Sequence, residues 1–421
     1  MNNTKTFING LILTGLVVTS NQALSAGFQI SEASVSGLGR AFAGAGVAGD
    51  DVSDMFYNPA GMFLADGRQF QAGLSIIDSQ SEFAGSAVPF GGPNADGGTT
   101  GVVPNLYYTF PESGNLKYGI SLTAPFGLKT EYDKNWAGRY QGLTSELTTI
   151  DINPALAYRV SNQVALGAGI SIQFADAELS QARFLGLGVP DGKSTVEGDN
   201  WAFGFNLGAM FTPSNSTRFG IGFRSKIEQE VEGNLNVIGP TGATLVNAGA
   251  LAEVDLPETV YLSAIHSPNS QWDILASARW TKWSRFEELR IVFDNGLPDS
   301  VTEENWDDTW TISLGANYHL SNQWTIRFGY AHDESPVPDE FRTVRIPDSD
   351  RDWFTLGASY SPSTSMTVDF GYAYLTGDDA PIFESTIIAG PPTAPAVVSN
   401  TLNGVYDGEA HIFGIQAQWT F

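Results

Sequence analysis

Thr311-Ile312-Ser313-Leu314-Gly315-Ala316-Asn317-Tyr318-His319-Leu320, then Ser321-Asn322-Gln323, then Trp324-Thr325-Ile326-Arg327-Phe328-Gly329-Tyr330, is the passage that decides the fold. Ile312, Leu314, Ala316, Tyr318 and Leu320 alternate with Thr311, Ser313, Gly315, Asn317 and His319. Trp324, Ile326, Phe328 and Tyr330 then alternate with Thr325, Arg327 and Gly329. A period of two sends one set to each face of an extended chain, and a turn as short as Ser321-Asn322 folds the two runs into an antiparallel hairpin. The same alternation runs from Val164 to Phe174, where Val164, Leu166, Ala168, Ile170, Ile172 and Phe174 oppose Gly167, Gly169, Ser171 and Gln173.

Working outward, short turns recur at Glu112-Ser113-Gly114, Ser161-Asn162, Pro213-Ser214-Asn215, Pro268-Asn269-Ser270 and Ser361-Pro362-Ser363. Between them stand long connections: Ser81 to Gly98, Gly127 to Leu147, Leu179 to Glu197, Glu232 to Ala248, Glu287 to Asn305, Asp333 to Asp350 and Gly377 to Gly408. A sheet trimmed at one end and elaborated at the other is the pattern of a membrane barrel with short periplasmic turns and long outer loops. The segments begin near Gln69, Gly101, Asn115, Thr149, Val164, Asp199, Ser216, Gly249, Gln271, Asp307, Gln323, Arg351, Thr364 and Glu409, fourteen in all. The last alternates Phe413, Ile415, Ala417, Trp419 and Phe421 with Gln416, Gln418 and Thr420, and is expected to pair laterally with the first. The expectation is an all-β protein: a 14-stranded antiparallel transmembrane β-barrel with an N-terminal luminal plug, or hatch.

Lipid takes the aliphatic and aromatic face, because Arg279, Arg327, Asp369 and Gln418 on the other would be costly in hydrocarbon. Trp201, Trp272, Trp324, Tyr330, Trp353 and Trp419, near strand ends, are expected in an interfacial aromatic belt. No later window holds the ~20 apolar residues of a membrane helix. Residues 1–25 read as a signal peptide, with Lys5, an apolar run from Phe7 to Val18, and small residues at Ala23 and Ser25. Residues 26–67 form the plug and residues 68–421 the barrel. The plug reading rests on Gly37, Gly39, Gly44, Gly46 and Gly49, which permit close packing, and on apolar Phe28, Ile30, Leu38, Phe42, Met55, Phe56 and Tyr57, which a disordered tail does not need. Arg40 is expected to find carboxylates in the lumen.

The chain has 21 Lys and Arg against 46 Asp and Glu, and loss of Lys5 with the leader brings the mature net charge near −26. Such a surface repels nucleic acid, so no nucleic-acid partner is expected. Absence of cysteine excludes disulfides and thiolate chemistry. His266, His319, His332 and His411 share no short metal-ligand spacing, and no serine motif accompanies His332-Asp333. Gly37 to Gly46 lacks the Lys-Ser/Thr ending of a phosphate loop. No enzyme activity, cofactor or metal is expected.

Ala26-Gly27-Phe28-Gln29-Ile30-Ser31-Glu32, Ser36-Gly37-Leu38-Gly39-Arg40-Ala41-Phe42-Ala43-Gly44 and Asn58-Pro59-Ala60 resemble the plug of the long-chain fatty acid and hydrocarbon transporters of Gram-negative outer membranes. Trp280-Thr281-Lys282-Trp283-Ser284 and Ile346-Pro347-Asp348-Ser349-Asp350-Arg351-Asp352-Trp353 extend the resemblance through the barrel. It implies an outer-membrane monomer, in contact with membrane lipid and lipopolysaccharide, that passes long-chain fatty acids by passive diffusion. Substrate would rest in an outer groove that includes Phe126 to Leu143. It would pass to a deep pocket near the mature N-terminus and leave sideways at a kink in the third strand, from about Asn115 to Pro125. The resemblance suggests Phe28, Ile30, Phe126, Leu128 and Trp136 for substrate binding, and Gly37, Gly39, Arg40, Asn58, Pro59, Ala60 and Asn115 for the plug and gate. Two basic positions of the family's deep pocket are matched here by Gln181 and Glu303. Arg183 is the leading substitute base, with Arg342 and Arg345 as rivals. Uptake of neutral aromatic or aliphatic hydrocarbons by the same route is the alternative.

Overall fold

A computed structural model of the protein describes residues 27–389 and 397–421. The leader expected over residues 1–25 lies outside the described residues. Fourteen antiparallel barrel strands follow one another around a closed ring. They are β1 (Gln69–Val88), β2 (Thr100–Thr109), β3 (Leu116–Thr123, continued by Gly127–Glu131), β4 (Thr144–Arg159), β5 (Val164–Arg183), β6 (Gly192–Ser214) and β7 (Thr217–Arg224 and Ile227–Ile238). Then come β8 (Thr244–Leu256 and Thr259–Asn269), β9 (Trp272–Thr281 and Glu288–Phe293), β10 (Ser300–Glu303 and Thr309–His319), β11 (Trp324–Asp333), β12 (Arg351–Ser363), β13 (Met366–Gly377) and β14 (Val397–Thr420). β14 pairs with β1 from Gln69↔Thr420 to Val88↔Thr401, which closes the sheet and leaves no edge at that seam. An outer ribbon, Ala380–Ala389, adds to the upper part of β14.

The strand count matches the alternation in the sequence, but much of what reads as long loop is paired strand. β5 runs to Arg183 and β6 starts at Gly192, and β7 and β8 together claim most of Glu232 to Ala248. Outside the bilayer no lipid enforces an apolar face, so the ladder continues without the alternation that reveals it. β7, for example, carries Glu228, Glu230 and Glu232 on its exposed side.

The lipid side carries Ile170, Phe203, Phe205, Leu314, Phe328, Phe354 and Phe413, all exposed. Trp201, Trp272, Trp324 and Tyr330 face outward with them, and Trp419 stacks on Phe70. Trp353 does not belong to that belt. Its neighbour Phe354 takes the outward position, so Trp353 points into the lumen, is 3% exposed, and meets Phe42 edge-on.

The N-terminal segment packs against inward-facing wall positions on both sides of the barrel. A short helix, α1 (Val35–Leu38), lies against β12, β13, β14 and β1. A second, α2 (Asp54–Tyr57), touches β3, and the 3-10 turn Pro59–Leu64 that follows rests on β3 to β6. Asn58 joins the last two by accepting from the Ala60 N–H at 3.0 Å and donating to Ala209 O at 3.0 Å. The small face of the wall is explained by this contact: a Cβ at Gly222 would lie 1.9 Å from Tyr57 O, and one at Gly39 would lie 2.7 Å from the Cα of Gly357. Charge fixes the same segment. Arg40 pairs at 2.5 Å with Asp50 of its own segment, not directly with the wall, and Arg327 of β11 reaches the same carboxylate at 3.4 Å. Arg224 donates to Phe56 O and holds Asp151 at 2.5 Å, and Arg279 donates to Ser31 while pairing with Asp333. Each of these buried arginines thus has a partner, as burial requires.

Candidate functional site: an apolar chamber behind a break in the wall

Regular pairing in β7 to β10 stops at one level. Arg224, Thr259, Thr281 and Thr309 stand in one register row, and each borders an interruption of its strand, which follows Arg224 and Thr281 and precedes Thr259 and Thr309. Pro257 is one cause, since it lacks an N–H for the ladder. The interruptions turn Ile227, Leu256, Trp283, Phe286 and Trp306 inward, all buried, around Phe28. The Phe28 ring centroid lies 4.7 Å from that of Trp283, 5.5 Å from Trp306, 5.7 Å from Phe286 and 6.1 Å from Phe126, mostly tilted or edge-on, as aromatic quadrupoles prefer. Leu128 and Leu147 pack at its border. Gly27 must be glycine here: its φ is +62°, and a Cβ would stand 2.5 Å from the Trp306 ring. Its N–H donates to Asp348 Oδ2 at 2.9 Å.

Phe28 to Ile30 are extended and hydrogen-bonded to the inner turn of β3. The Ile30 N–H donates to Pro125 O and the Gly127 N–H to Phe28 O, both at 2.9 Å. β3 is therefore drawn away from its neighbour. It pairs with β2 only from Leu106↔Leu122 to Thr109↔Gly119, while Thr100 to Asn105 of β2 pair with β1 alone. The wall closes again above, where the Glu131 N–H reaches Gly97 O at 3.2 Å. Ile30, Val103 and Ala124 border the interruption and belong to one buried apolar cluster with Ile77 and Leu375. Asn115 plays no part in it. That residue is exposed at the periplasmic end of β3, where its carbonyl accepts from the Arg159 N–H.

On the outside lies a cavity of about 790 Å³ lined by Phe90, Tyr140, Leu143, Phe184, Leu187 and Val189, with Lys134, Arg139 and Lys193 among its polar residues. Trp136, although in the segment expected to form this groove, offers it no surface. It is fully buried, stacked on Tyr132 at 4.1 Å, and donates from Nε1 to Gly142 O. Its role is to support the loop.

Arg183 ends β5 exposed to solvent and Arg342 is paired with Asp339 at 2.6 Å, so neither supplies a free buried base. Arg345 does. Its guanidinium donates to Thr144 O, Ser145 Oγ and Ser180 O, and to Gln181 Oε1 at 3.0 Å. Among the described residues no carboxylate lies within 4.0 Å of it. Ile346, next in the chain, belongs to the Phe28 chamber. Glu303 is exposed, and it is Glu304 that turns inward, 4% exposed; Asn305, next in the chain, takes a left-handed φ of +45°. Glu304 accepts from Trp306 Nε1 at 2.9 Å. Burial pushes the carboxyl of Glu384, on the outer ribbon, up to about 7.

A closed transmembrane barrel of fourteen strands, with polar residues inward and an apolar chamber beside a break in its wall, defines a transport barrel of the outer membrane. The chain belongs to the family of outer membrane protein transport proteins (OMPP1/FadL/TodX), whose profile matches residues 16–421. It is 32% identical over 385 residues to the long-chain fatty acid transport protein of Escherichia coli O6:H1, covering 83% of this chain and 86% of that protein. The crystal structure of a Pseudomonas aeruginosa FadL homologue superimposes with a TM-score of 0.86 at 25% identity, over 94% of this chain and 100% of the other. The toluene transporter TodX of P. putida shares the fold, with a TM-score of 0.67 at 17% identity over 88% of this chain and 95% of TodX.

Proposed function

We propose that this chain admits long-chain fatty acids across the outer membrane by diffusion, without chemical conversion. The acid first rests in the outer groove, next occupies the chamber around Phe28 with its carboxylate on Arg345, and then slides past Ile30 through the β2–β3 break into the bilayer. The N-terminal segment serves as the hatch of a monomeric barrel standing among membrane lipid and lipopolysaccharide. The observation that carries the reading is a half-buried guanidinium, without a carboxylate within 4.0 Å among the described residues, beside an apolar chamber. Each buried CH₂ stabilises the tail by about 0.8 kcal/mol, whereas a buried carboxylate needs a charged or strongly donating partner. The names of the curated relatives support the same substrate class.

Calorimetry of the purified protein with oleate and with toluene tests it. Arg345→Gln is expected to weaken oleate binding by about 1.5–3 kcal/mol, the range for a hydrogen bond to a charged group, and to leave toluene unaffected. If oleate binding is untouched by Arg345→Gln, the headgroup assignment is wrong. If the wild type takes toluene and refuses oleate, the chain serves neutral hydrocarbons.

A further inference from the structure

The ladder also lapses between β6 and β7. The two strands pair from Phe211↔Phe219 to Asn206↔Arg224, and again from Asp199↔Glu232 to Lys193↔Ile238. Between those runs, residues 200–205 of β6 and 225–231 of β7 form no register pair with each other, although β6 keeps its ladder to β5 and β7 resumes its ladder to β8 at Ile227. Few bonds cross the gap. At its periplasmic end the Ser225 N–H donates to Phe205 O and the Phe205 N–H to Ser225 Oγ, both at 2.9 Å. At its outer end Asn200 Nδ2 donates to Gln229 Oε1 at 3.2 Å. Gly204 lets Ile227 lie against β6, since a Cβ there would stand 2.8 Å from Ile227 Cγ1. Backbone left without a ladder beside lipid is costly, so a gap with regular pairing above and below it calls for a use.

The two sides of the gap suggest one. On the inside, Ala202 and Ile227 belong to the apolar cluster that surrounds Phe28. A narrow cavity of about 10 Å³, lined among others by Pro125 and Phe126 of the β3 break and by Ser225, Ile227 and Pro257 of the β7 and β8 breaks, lies between the interruptions. On the outside, Trp201, Phe203 and Phe205 are exposed, Phe203 at 69%. The outward residues of β7 change from Phe219 and Ile221 to Glu228, Glu230 and Glu232 across the gap, which sets it at the outer boundary of the hydrocarbon. The neighbouring lapse between β8 and β9 is fastened differently: the Lys282 N–H donates to Glu258 O at 3.0 Å, and the Lys282 and Arg285 side chains pair with the Glu258 carboxylate. Among the described residues no ion pair crosses from β6 to β7, and Lys226 pairs with Glu228 and Asp255 on its own side.

We propose that the β6–β7 gap is a second lateral port, through which single-chain amphiphiles dissolved in the outer leaflet reach the Phe28 chamber without first resting in the outer groove. The inference rests on the reading of that chamber as the substrate site. Ile227 is the movable part of the port, because it closes the gap by side-chain packing and not by a ladder to β6. An acyl chain that displaces it passes from the exposed rings of Trp201 and Phe203 to the ring of Phe28 and stays in apolar surroundings throughout.

The test uses the full-length protein in phosphatidylcholine vesicles and a photoreactive docosanoic acid, which leaves a bilayer slowly. The probe is supplied either dissolved in the bilayer or from water on albumin, and crosslinks to Phe28, Trp283 and Phe286 are followed in time. The chain has no cysteine, so Gly204→Cys with Ile227→Cys introduces one thiol pair within disulfide reach. Oxidation of that pair is expected to slow chamber loading from the bilayer at least threefold, the β2–β3 break remaining open, and to leave loading from water unchanged. Reduction should restore the rate. Ser225→Ala with Asn200→Ala, which removes the side-chain bonds across the gap, should speed loading from the bilayer at least threefold. Heat-resistant migration on a gel reports folding, and if the cysteine variant fails to fold, the Ser225→Ala, Asn200→Ala chain decides. Loading from the bilayer that neither variant alters overturns the port, as does an oxidative loss shared equally by both deliveries. If the wild type shows no chamber crosslinks from either source, the chamber itself is not the substrate site; chamber crosslinks that form at the same rate with the port locked and unlocked overturn the port alone.

Discussion

At the scale of single residues the site turns on Phe28. Its ring is the one that touches Phe126, Trp283, Phe286 and Trp306 together, so truncation removes the common contact of four aromatics. Phe28→Ala is expected to lower stability by about 3–5 kcal/mol, the usual cost of deleting a buried aromatic ring. Phe28→Leu should cost less because volume is kept. Calorimetric melting of the purified protein checks both, and equal melting temperatures for wild type and Phe28→Ala would exclude the ring as a packing centre. Phe28, Ile30, Phe126 and Leu128 were legible from the family resemblance because each lies in or beside a quoted motif or an apolar run. The headgroup base was not. Arg345 and Gln181 are separated by 164 positions, and only the closed sheet brings them together, so no local pattern distinguishes Arg345 from Arg183.

At the scale of elements, the sequence announces strands wherever lipid demands an apolar face, and that sufficed for the order and number of all fourteen. It is silent where the ladder runs on into water, and nearly silent where the ladder breaks. Pro125 and Pro257 are the visible signs of the interruptions in β3 and β8, but the aligned interruptions in β7, β9 and β10 follow from register, which periodicity alone does not give. The break in β3 can be tested as an element. Replacing Ala124-Pro125 by Val-Thr restores a backbone donor and β-branched side chains, which should let β3 continue its pairing with Thr100 to Asn105 of β2. Oleate uptake into cells should then fall severalfold while oleate binding by the purified protein persists. Uptake at the wild-type rate from a variant whose β2–β3 pairing is confirmed by hydrogen exchange would show that substrate leaves by another way.

At the scale of the whole molecule, two structures are nested and held together by shared apolar clusters, in which Val47, Met55, Tyr57 and Met62 meet Tyr107, Tyr261 and Leu275, and by charge and hydrogen bonds. The barrel is closed by its own ladder, with twenty register pairs from β1 to β14 alone, and does not depend on the N-terminal segment for its backbone bonds. The segment does depend on the wall: Lys117, Arg218, Arg224, Arg279 and Arg327 donate to Ala65, Val47 and Ala48, Phe56, Ser31 and Asp50 respectively. In return the stretch from Phe28 to Leu64 brings four acids, Glu32, Asp50, Asp51 and Asp54, and one base, Arg40. Deleting Phe28 to Leu64 should therefore leave a folded barrel whose lumen is filled by water and has gained positive charge, because Asp151, Asp333, Asp348 and Asp369 face Arg224, Arg279, Arg327 and Arg351 while, among the described residues, Lys117 and Arg218 have no carboxylate within 4.0 Å. In planar bilayers the truncated protein is expected to conduct far more than the full chain and, under a KCl gradient, to show a reversal potential displaced toward chloride, since a narrow pore lined by one sign of charge enriches the opposite ion. Heat-resistant migration on a gel establishes that the barrel has formed. Conductance equal to that of the full chain would mean that the segment does not close the lumen, and a reversal potential displaced toward potassium would mean that the wall bases stay paired after their partners are gone.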